Sequence, residues 1–505
     1  MVIGDYDVDG ATSCALVHSA LRTMGGENIA FIAPNRFQFG YGMSPEIVEY
    51  SQQYKPDILI TVDNGISSIS GVAAAKNAGV RVLITDHHLP GSELPDADVI
   101  VNPNQPGDQF ASKNLAGVGV AFYVMMALRR ELRRRNWFSE MDITEPNMAR
   151  FLDLVALGTV ADVVSLDHNN RVLVSQGLGR INAGLGRPGI NALLKISKRT
   201  TGEISTTDLG FAVAPRLNAA GRLEDMSIGI ACLLAENDEQ AMDLAYQLDT
   251  INSERRLIER EMQQEAFRFV QSVAREPEKN LPAGLCFFEP HWHQGLTGLV
   301  ASRIKDRFNR PVIAFADAGD GILKGSGRSI AALHLKDALD AIALQAPKLV
   351  ENFGGHAMAA GLTIRRKYYS RFEVAFQQEV NRRLGTGGLS AEIESDGILP
   401  HREMNVSFAQ TLRKAGPWGK DFPEPVFDGE FNVFEQRIVG EQHLKLQLKG
   451  DDGENVVDAI YFRYLQGEEV ATRFQRVRIV YRLAVNDYMG RRRPQLIVDY
   501  LEPVS

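Results

Sequence analysis

The sequence predicts an α/β protein: a parallel-sheet domain, a long helix connecting it to a second lobe, and a C-terminal β-barrel. Three observations carry this. Apolar runs alternate with helix-periodic stretches through the first part of the chain. A segment without Pro or Gly, 238–275, keeps its apolar residues at helical spacing. Strictly alternating segments separated by turn residues fill the last part.

"NIAFIAP" (28–34), "DILITVD" (57–63), "VRVLITD" (80–86) and "ADVIVNP" (97–103) read as buried strands, with helical patterns near 44–54 and 68–78. Such alternation means a parallel sheet with helices on both faces. If 238–275 is one helix it spans ~57 Å. A pair of packed helices broken near Asn252–Ser253 is the alternative, and the single helix is preferred. Residues 282–388 carry the glycine-rich "GSGRS" (325–329) and "NFGGHAMAAG" (352–361). "HLKLQLK" (443–449) alternates strictly, and "FQRVRIVYRLAVND" and "RRPQLIVDYL" bracket a turn at Tyr488–Gly490. Short strands with such turns predict a small barrel.

Bulk properties narrow the classes. The chain has 505 residues, which as a prior corresponds to about three domains. Its 44% hydrophobic and 23% charged fractions are ordinary for a globular protein. No apolar run reaches the ~18 residues of a membrane span, and no basic segment followed by an apolar one marks a secretory leader. A cytoplasmic protein without membrane association is expected. Cys14, Cys232 and Cys286 lie far apart and form no CxxC, which argues against a zinc ribbon or a disulfide framework. The net charge of -8 gives no global attraction for nucleic acid. Any grip on a phosphate backbone must come from local basic surface or from metal ions.

The polar residues fall at strand ends. "GDYDVDG" (4–10) follows a short apolar run and sets Asp5, Asp7 and Asp9 at alternate positions. Asp63 closes one strand in "VDNG"; Asp86, His87 and His88 close the next in "TDHH". Ligands of open α/β sheets gather outside the carboxyl ends of strands, so these clusters are expected to converge on one edge. Gathered carboxylates and imidazoles repel or stay unpaired unless cations hold them. This donor mix suits Mn²⁺ or Mg²⁺, with zinc also open. Taken singly, each cluster has a plainer explanation, since Asp favours helix caps and turns; Asp9, ahead of "GATSCALVHSAL", would serve as a cap. Three clusters in register tip the balance toward a metal site. "LVALGTVADVVSL" (154–166) adds Asp162, one acid in an apolar run, costly to bury unless paired or metal-bound.

"GDYDVDG", "VDNG", "TDHH" and "GTVADVV", in this order and spacing, resemble motifs I to IV of the DHH phosphoesterase superfamily. "APRLNAAGRL" (214–223), "HWHQGLTGLVASRI" (291–304), "GSGRS" and "NFGGHAMAAG" narrow the resemblance to the bacterial exonucleases of that superfamily specific for single-stranded DNA. It spans essentially the whole chain. That family carries several tens of residues before the first motif, including most of the first strand. Here Met1 stands three residues before Gly4, so either the sequence is shortened relative to that family or its first strand is very short. The resemblance implies a parallel-sheet DHH domain over 1–237, a connecting helix over 238–281, a smaller α/β DHHA1 domain over 282–388 facing it across a cleft, and an OB-fold nucleic-acid-binding domain over 389–505.

It also implies two metal ions, Mn²⁺ or Mg²⁺. Asp7 and Asp9 would be principal ligands, Asp63 would bridge the ions, and His87 and Asp162 would complete the second ion's shell. Asp5 would ligate directly or through an intervening group. His88 would contact the scissile phosphate, and Asp86 would orient the imidazoles by hydrogen bonding. Two cations ~3.5–4 Å apart activate a water and stabilise the charge on a phosphoryl group. In-line attack would then release nucleoside 5′-monophosphates. Glycine exposes N–H groups that cradle anions and arginine offers a two-pronged fork, so Ser326, Arg328, Gly355 and His356 become candidates for holding substrate phosphates. Asn218 and Arg222 are candidates for the 5′-terminal phosphate; a pocket for that end would explain an exonuclease. His291 and His293 flank Trp292, open to packing or to substrate contact.

Residues 471–500 hold seven arginines against two aspartates, interleaved with Phe474, Tyr481, Tyr488 and Tyr500. Arginine with aromatic residues on a β surface suits single-stranded nucleic acid. Alone it reads as a solvated strand face over core aromatics; the implied OB-fold favours binding. "LRRELRRR" (128–135) is a second basic patch, or an exposed helix face only. The expectation is a monomeric 5′→3′ exonuclease acting on single-stranded DNA in repair and recombination, beside a single-strand-binding protein and a helicase. Two other readings stay open: a DHH-type phosphodiesterase for oligoribonucleotides or cyclic dinucleotides, and a non-catalytic nucleic-acid-binding scaffold.

Overall fold

Aliphatic runs pair as a five-stranded parallel sheet whose central strands are largely buried, the usual fate of strands that carry no polar face. In the computed structural model, β1 (Val2–Ile3), β2 (Phe31–Ile32), β3 (Ile58–Val62), β4 (Arg81–Thr85) and β5 (Val99–Val101) take the order β2-β1-β3-β4-β5. The structure describes residues 1–34, 42–273, 281–385, 392–440, 442–450, 456–465, 473–488 and 491–504. β1 has two residues, yet it is central. Val2 lies between Phe31 and Ile60, and Ile3 between Ile32 and Thr61. Its two residues also limit β2, which pairs with β1 and is shorter than its apolar run.

α1 (Val8–Thr23) follows β1. α2 (Pro45–Ser51) and α3 (Ile69–Asn77) cover one face, where Ile47, Val48, Val72 and Ala75 pack with Ile3, Leu59, Val82 and Ile84. α4 (Gly117–Arg134) packs with α1, with β3 and with the helix Leu152–Ala161.

The chain divides into two compact units. One holds Met1–Asn218, Asp225–Ala245 and Ile393–Ser505; the other holds Ala219–Glu224 and Tyr246–Glu392. The helix Asp238–Val273 runs unbroken through Asn252–Ser253. The remainder of the expected connecting segment, 274–280, lies outside the described residues.

The second unit is built on a mixed sheet, order β6-β7-β8-β10-β9, of β6 (Leu285–Phe288), β7 (Val312–Asp317), β8 (Ile322–Arg328), β9 (Asn352–Gly355) and β10 (Ala359–Arg365). Successive residues serve opposite faces. Cys286, Ile313 and Phe315 join one core; Leu285, Phe287, Val312 and Ala314 join another.

In the first unit the C-terminal segment closes as a barrel, order β11-β12-β13-β15-β14, from β11 (Phe427–Val439), β12 (His443–Lys449), β13 (Val457–Tyr461), β14 (Arg476–Tyr488) and β15 (Arg491–Pro503). Leu444, Leu446, Leu448, Tyr481 and Leu496 fill its interior. In the expected β14–β15 turn, residues 489 and 490 lie outside the described residues. Among the described residues no helix is long and apolar enough to cross a membrane.

Candidate metal centre

The carboxyl ends of β1, β3 and β4 and the end of the helix Leu152–Ala161 deliver the acidic clusters. After β1 the chain turns and enters α1 at Val8. Asp7 is the cap of that helix, its Oδ1 accepting the N–H of Gly10 at 3.1 Å. The capping role considered for Asp9 thus falls to Asp7. Asp9 is only 1% exposed. Its Oδ2 accepts the N–H of Gly117 at 2.6 Å and its Oδ1 that of Val118 at 2.8 Å. These are the first N–H groups of α4, which a helix leaves without internal partners; the positive end of the helix dipole favours a carboxylate there. Asp5 is buried, and its Oδ1 accepts the N–H of Tyr6 at 2.7 Å.

Asp63 follows β3 with φ 61°, in the left-handed region that few residues other than glycine enter. Asn64 holds this turn, its buried amide donating to the carbonyls of Val62 at 2.9 Å and Ile3 at 3.2 Å. Gly117 lets α4 approach. A Cβ there would lie 2.6 Å from Asp63 Cβ and 2.8 Å from Asp63 Oδ1. Gly158 is as closely packed beside Thr12 and Asp9, where a Cβ would lie 2.3 Å from Thr12 Oγ1 and 3.0 Å from Asp9 Oδ1.

His87 joins the acids. Its Nε2 lies 3.1 Å from Asp63 Oδ1, 3.5 Å from Asp162 Oδ2 and 3.9 Å from Asp9 Oδ2. His88 Nδ1 lies 2.8 Å from Asp86 Oδ1. Asp86 also accepts the backbone N–H groups of His87, His88 and Ile66 at 2.7, 3.0 and 2.9 Å. Donor atoms of Asp9, His87 and Asp162 lie within 4.8 Å of one another, as do those of Asp5, Asp7 and Asp63, and those of Asp63, His87 and His88. Asp63 and His87 each belong to two of these sets.

The electrostatics are those of a site short of positive charge. Burial, then the charge of Asp7, pushes Asp9 up to about 7 against the two N–H bonds. Burial, then the neighbouring carboxylates, raises Asp63 and Asp162 well above the usual carboxylate range. Burial, then the nearby His88, lowers His87 to about 4, so it stands as a neutral donor. Burial works against charge on His88, but its hydrogen bond to Asp86 prevails and raises it. Asp63 Oδ1 and His87 Nε2 are buried and make no hydrogen bond. Buried oxygen and imidazole donors left in this state fit a divalent cation such as Mn²⁺ or Mg²⁺.

The candidates for holding phosphate are placed as follows. Asn218 Oδ1 accepts the N–H of Val8 at 3.2 Å, beside the first acidic motif. In the second unit Arg222 Nη1 donates to the carbonyl of Gly295 at 3.2 Å. Ser326 and Arg328 lie two apart on β8, opposite Gly361 and Ala359 of β10. Thr297 Oγ1 donates to Ser326 Oγ at 3.0 Å. Gly298 leaves room for the Arg328 guanidinium, which a Cβ would approach to 2.9 Å. Among the described residues no carboxylate pairs with Arg328, and burial lowers its pKa. Gly355 has φ 145°, and a Cβ there would meet the Ala359 carbonyl at 2.4 Å. His356, next to it, is exposed.

Other polar stretches are largely paired within the chain. Trp292 is 4% exposed and, with His291, is tied to Glu265. In "LRRELRRR", Arg134 and Arg135 pair with Glu131, and Arg129 and Arg133 with Glu145. In the barrel, Arg476, Arg478 and Arg482 pair with Glu430, Asp428 and Asp499. Arg492 pairs with Asp487 and Glu203. Tyr481 is core, while Arg473, Arg491, Arg493 and Tyr500 stay exposed. Sequence reasoning missed Asn64, Gly117, Val118 and Gly158. The signal for two of them was the glycine-rich helix start "AGVGV" (116–120).

Sequence comparison agrees with this architecture. Residues 1–159 match the DHH family, N-terminal domain, residues 281–385 the DHHA1 domain, and residues 395–500 the RecJ OB domain. Together they define a DHH-type phosphoesterase carrying a C-terminal barrel. The single-stranded-DNA-specific exonuclease RecJ of Salmonella typhimurium is 51% identical over 504 residues, covering 100% of this chain and 87% of the relative. The structure of RecJ from Thermus thermophilus in complex with Mn²⁺ superimposes with a TM-score of 0.78 at 28% identity, covering 100% of this chain and 69% of the other. The Mg²⁺ complex from that organism gives 0.72 at 27% identity, covering 100% and 67%. The chain belongs to the RecJ family.

Proposed function

We propose that the protein is a metal-dependent exonuclease that degrades single-stranded DNA from the 5′ end and releases nucleoside 5′-monophosphates. One observation carries this reading. Asp9, Asp63 and Asp162 gather around His87, with Asp63 Oδ1 and His87 Nε2 buried and unsatisfied, in a chain 51% identical to a single-stranded-DNA-specific exonuclease. Asp7, Asp9, Asp63, His87 and Asp162, with Asp5 in support, would hold two ions, Mn²⁺ or Mg²⁺. Such ions, when bound, supply an activated water and charge stabilisation at phosphorus.

The chain's own residues do the rest. The α4 N–H groups fix Asp9, and Asp86 orients His88 and favours its protonated form. His88 donates to the scissile phosphate while water attacks phosphorus in line with the departing 3′ oxygen. Ser326, Arg328, Gly355 and His356 hold substrate phosphates, and Asn218 and Arg222 take the 5′-terminal one. Domains at 1–237, 238–281, 282–388 and 389–505 accompany this reading, with the barrel binding the strand. The setting is cytoplasmic repair and recombination, with a monomer working beside a single-strand-binding protein and a helicase.

The test compares three substrates with Mn²⁺: a long single strand, a blunt duplex of equal length and a dinucleotide. The single strand should be degraded fastest and the duplex spared. Equal loss of the duplex would sink the strand specificity. Preference for the dinucleotide would favour an oligonucleotide phosphodiesterase.

A further inference from the structure

The strand beside β4 ends in "NPNQ" (102–105), and this turn reaches back to the histidine pair. β5 lies along β4 with Thr85 opposite Val101, and the N–H of Asp86 donates to the Val101 carbonyl at 3.1 Å. The Gln105 N–H closes the turn on the Asn102 carbonyl at 3.2 Å, with Pro103 at the second position, where proline is favoured. Asn102 Oδ1 accepts the N–H of Asn104 at 2.7 Å, the local bond that suits asparagine to turns. Lys113 Nζ donates to the Pro103 carbonyl at 2.6 Å. The turn is thus anchored by bonds of its own.

His87 and His88 follow β4 outside any helix or strand, so their main-chain polar groups need other partners. Side chains supply them. Asp86 accepts both N–H groups. Asn104 Nδ2 donates to the His87 carbonyl at 2.6 Å. Asn102, 1% exposed, donates through Nδ2 to the His88 carbonyl at 2.9 Å. The main chain that carries the two rings is therefore held at its N–H groups and at its carbonyls. The rings themselves serve different partners. His87 Nε2 meets Asp63, Asp162 and Asp9, while His88 Nδ1 meets Asp86. Their centroids lie 4.4 Å apart. Side-chain direction follows the backbone angles, so rotation of either peptide would carry an imidazole away from its partners.

We infer that Asn102 and Asn104 are positioning residues of the nuclease site. Asn104 acts through His87, keeping its imidazole among the carboxylates where it can join a bound cation. Asn102 acts through His88, keeping its imidazole in place for the scissile phosphate. This inference rests on the exonuclease reading above, from which the two histidine roles are taken.

The test uses the full chain and three variants. Asn104→Ala removes one amide, and Asn104→Gln keeps a donor on a longer arm. Asn102→Ser keeps an oxygen for the Asn104 N–H but loses the donor to His88. Mn²⁺ binding is read by calorimetry, kcat and KM on a 5′-phosphorylated single strand at saturating Mn²⁺, and thermal unfolding without metal. Asn104→Ala should weaken Mn²⁺ binding about ten-fold, with kcat at saturating Mn²⁺ little changed. Asn104→Gln should recover most of that binding. Asn102→Ser should lower kcat about ten-fold, with Mn²⁺ affinity and KM little changed. The Asn104 variants leave the turn's own bonds untouched, so they keep the test decisive should Asn102→Ser unfold. Wild-type Mn²⁺ affinity in Asn104→Ala, or wild-type kcat in Asn102→Ser, overturns the inference. So do parallel losses of Mn²⁺ affinity and kcat in both variants that track their thermal unfolding, which would make the turn a support of the fold only. A wild type that binds Mn²⁺ but cuts no single strand overturns the exonuclease reading and, with it, the role of Asn102. A wild type that cuts, matched by both variants, overturns this inference alone.

Discussion

At Asp9 two influences oppose each other. Two helix N–H groups favour its charge, while burial and Asp7 push its pKa up to about 7. Asp63 and Asp162 are raised as well, and His87 is lowered to about 4. The sign follows. Raised carboxyls keep protons in the folded, metal-free protein that the unfolded chain gives up above its ordinary 3.8. Their contribution to stability therefore falls as pH rises through about 7. His87 works oppositely, but only between about 4 and 6.5, so near neutrality the carboxyls set the slope. A cation must displace their protons. Mn²⁺ affinity, measured by calorimetry, should increase between pH 6 and 7 by up to about ten-fold for each coupled proton. A flat affinity from pH 6 to 8 would contradict the shared buried site. These residues were legible in sequence because strand-end acids and imidazoles are unusual together. Their division of labour was not. Whether Asp7 or Asp9 caps α1 depends on where α4 starts, and no local pattern near "GDYDVDG" carries that.

At the element scale, α4 acts through its first turn. Its N–H groups hold Asp9, and Gly117 lets it lie against Asp63. Gly117→Ala puts a methyl 2.6 Å from Asp63 Cβ, an overpacking expected to cost about 1–3 kcal/mol. Denaturant unfolding should show that loss, and Mn²⁺ titration should show weaker binding as Asp63 is displaced. Unchanged Mn²⁺ affinity would mean α4 retreats without moving the ligand. The strands of the first sheet were readable because buried parallel strands are continuous apolar runs. Their limits were not, since β2 is bounded by a two-residue partner. The barrel was readable from alternation, but its free basic surface was not. Arg478 and Arg482 are neutralised by Asp428 and Asp499 on neighbouring strands, pairs that only register reveals.

At the scale of the molecule, the barrel shares one compact unit with the sheet domain. The DHH, DHHA1 and RecJ OB matches follow each other along one chain. Ordered motifs spread over the sequence made this architecture legible in advance. The docking of residues 416–422 on the sheet domain was not, because its contacts join residues more than 200 positions apart, such as Thr206 and Trp418. The central claim is that this unit holds a metal-dependent centre that shortens single-stranded DNA from its 5′ end. The most direct measurement follows a 5′-phosphorylated single strand labelled at its 3′ end, with Mn²⁺, with EDTA, and with the Asp162→Ala variant. The account predicts a ladder of labelled products shortening from the 5′ end. The ladder should be absent in EDTA and slowed at least about a hundred-fold in Asp162→Ala, which still binds the strand. Cleavage that persists in EDTA, label lost first from the 3′ end, or full activity of Asp162→Ala would contradict it.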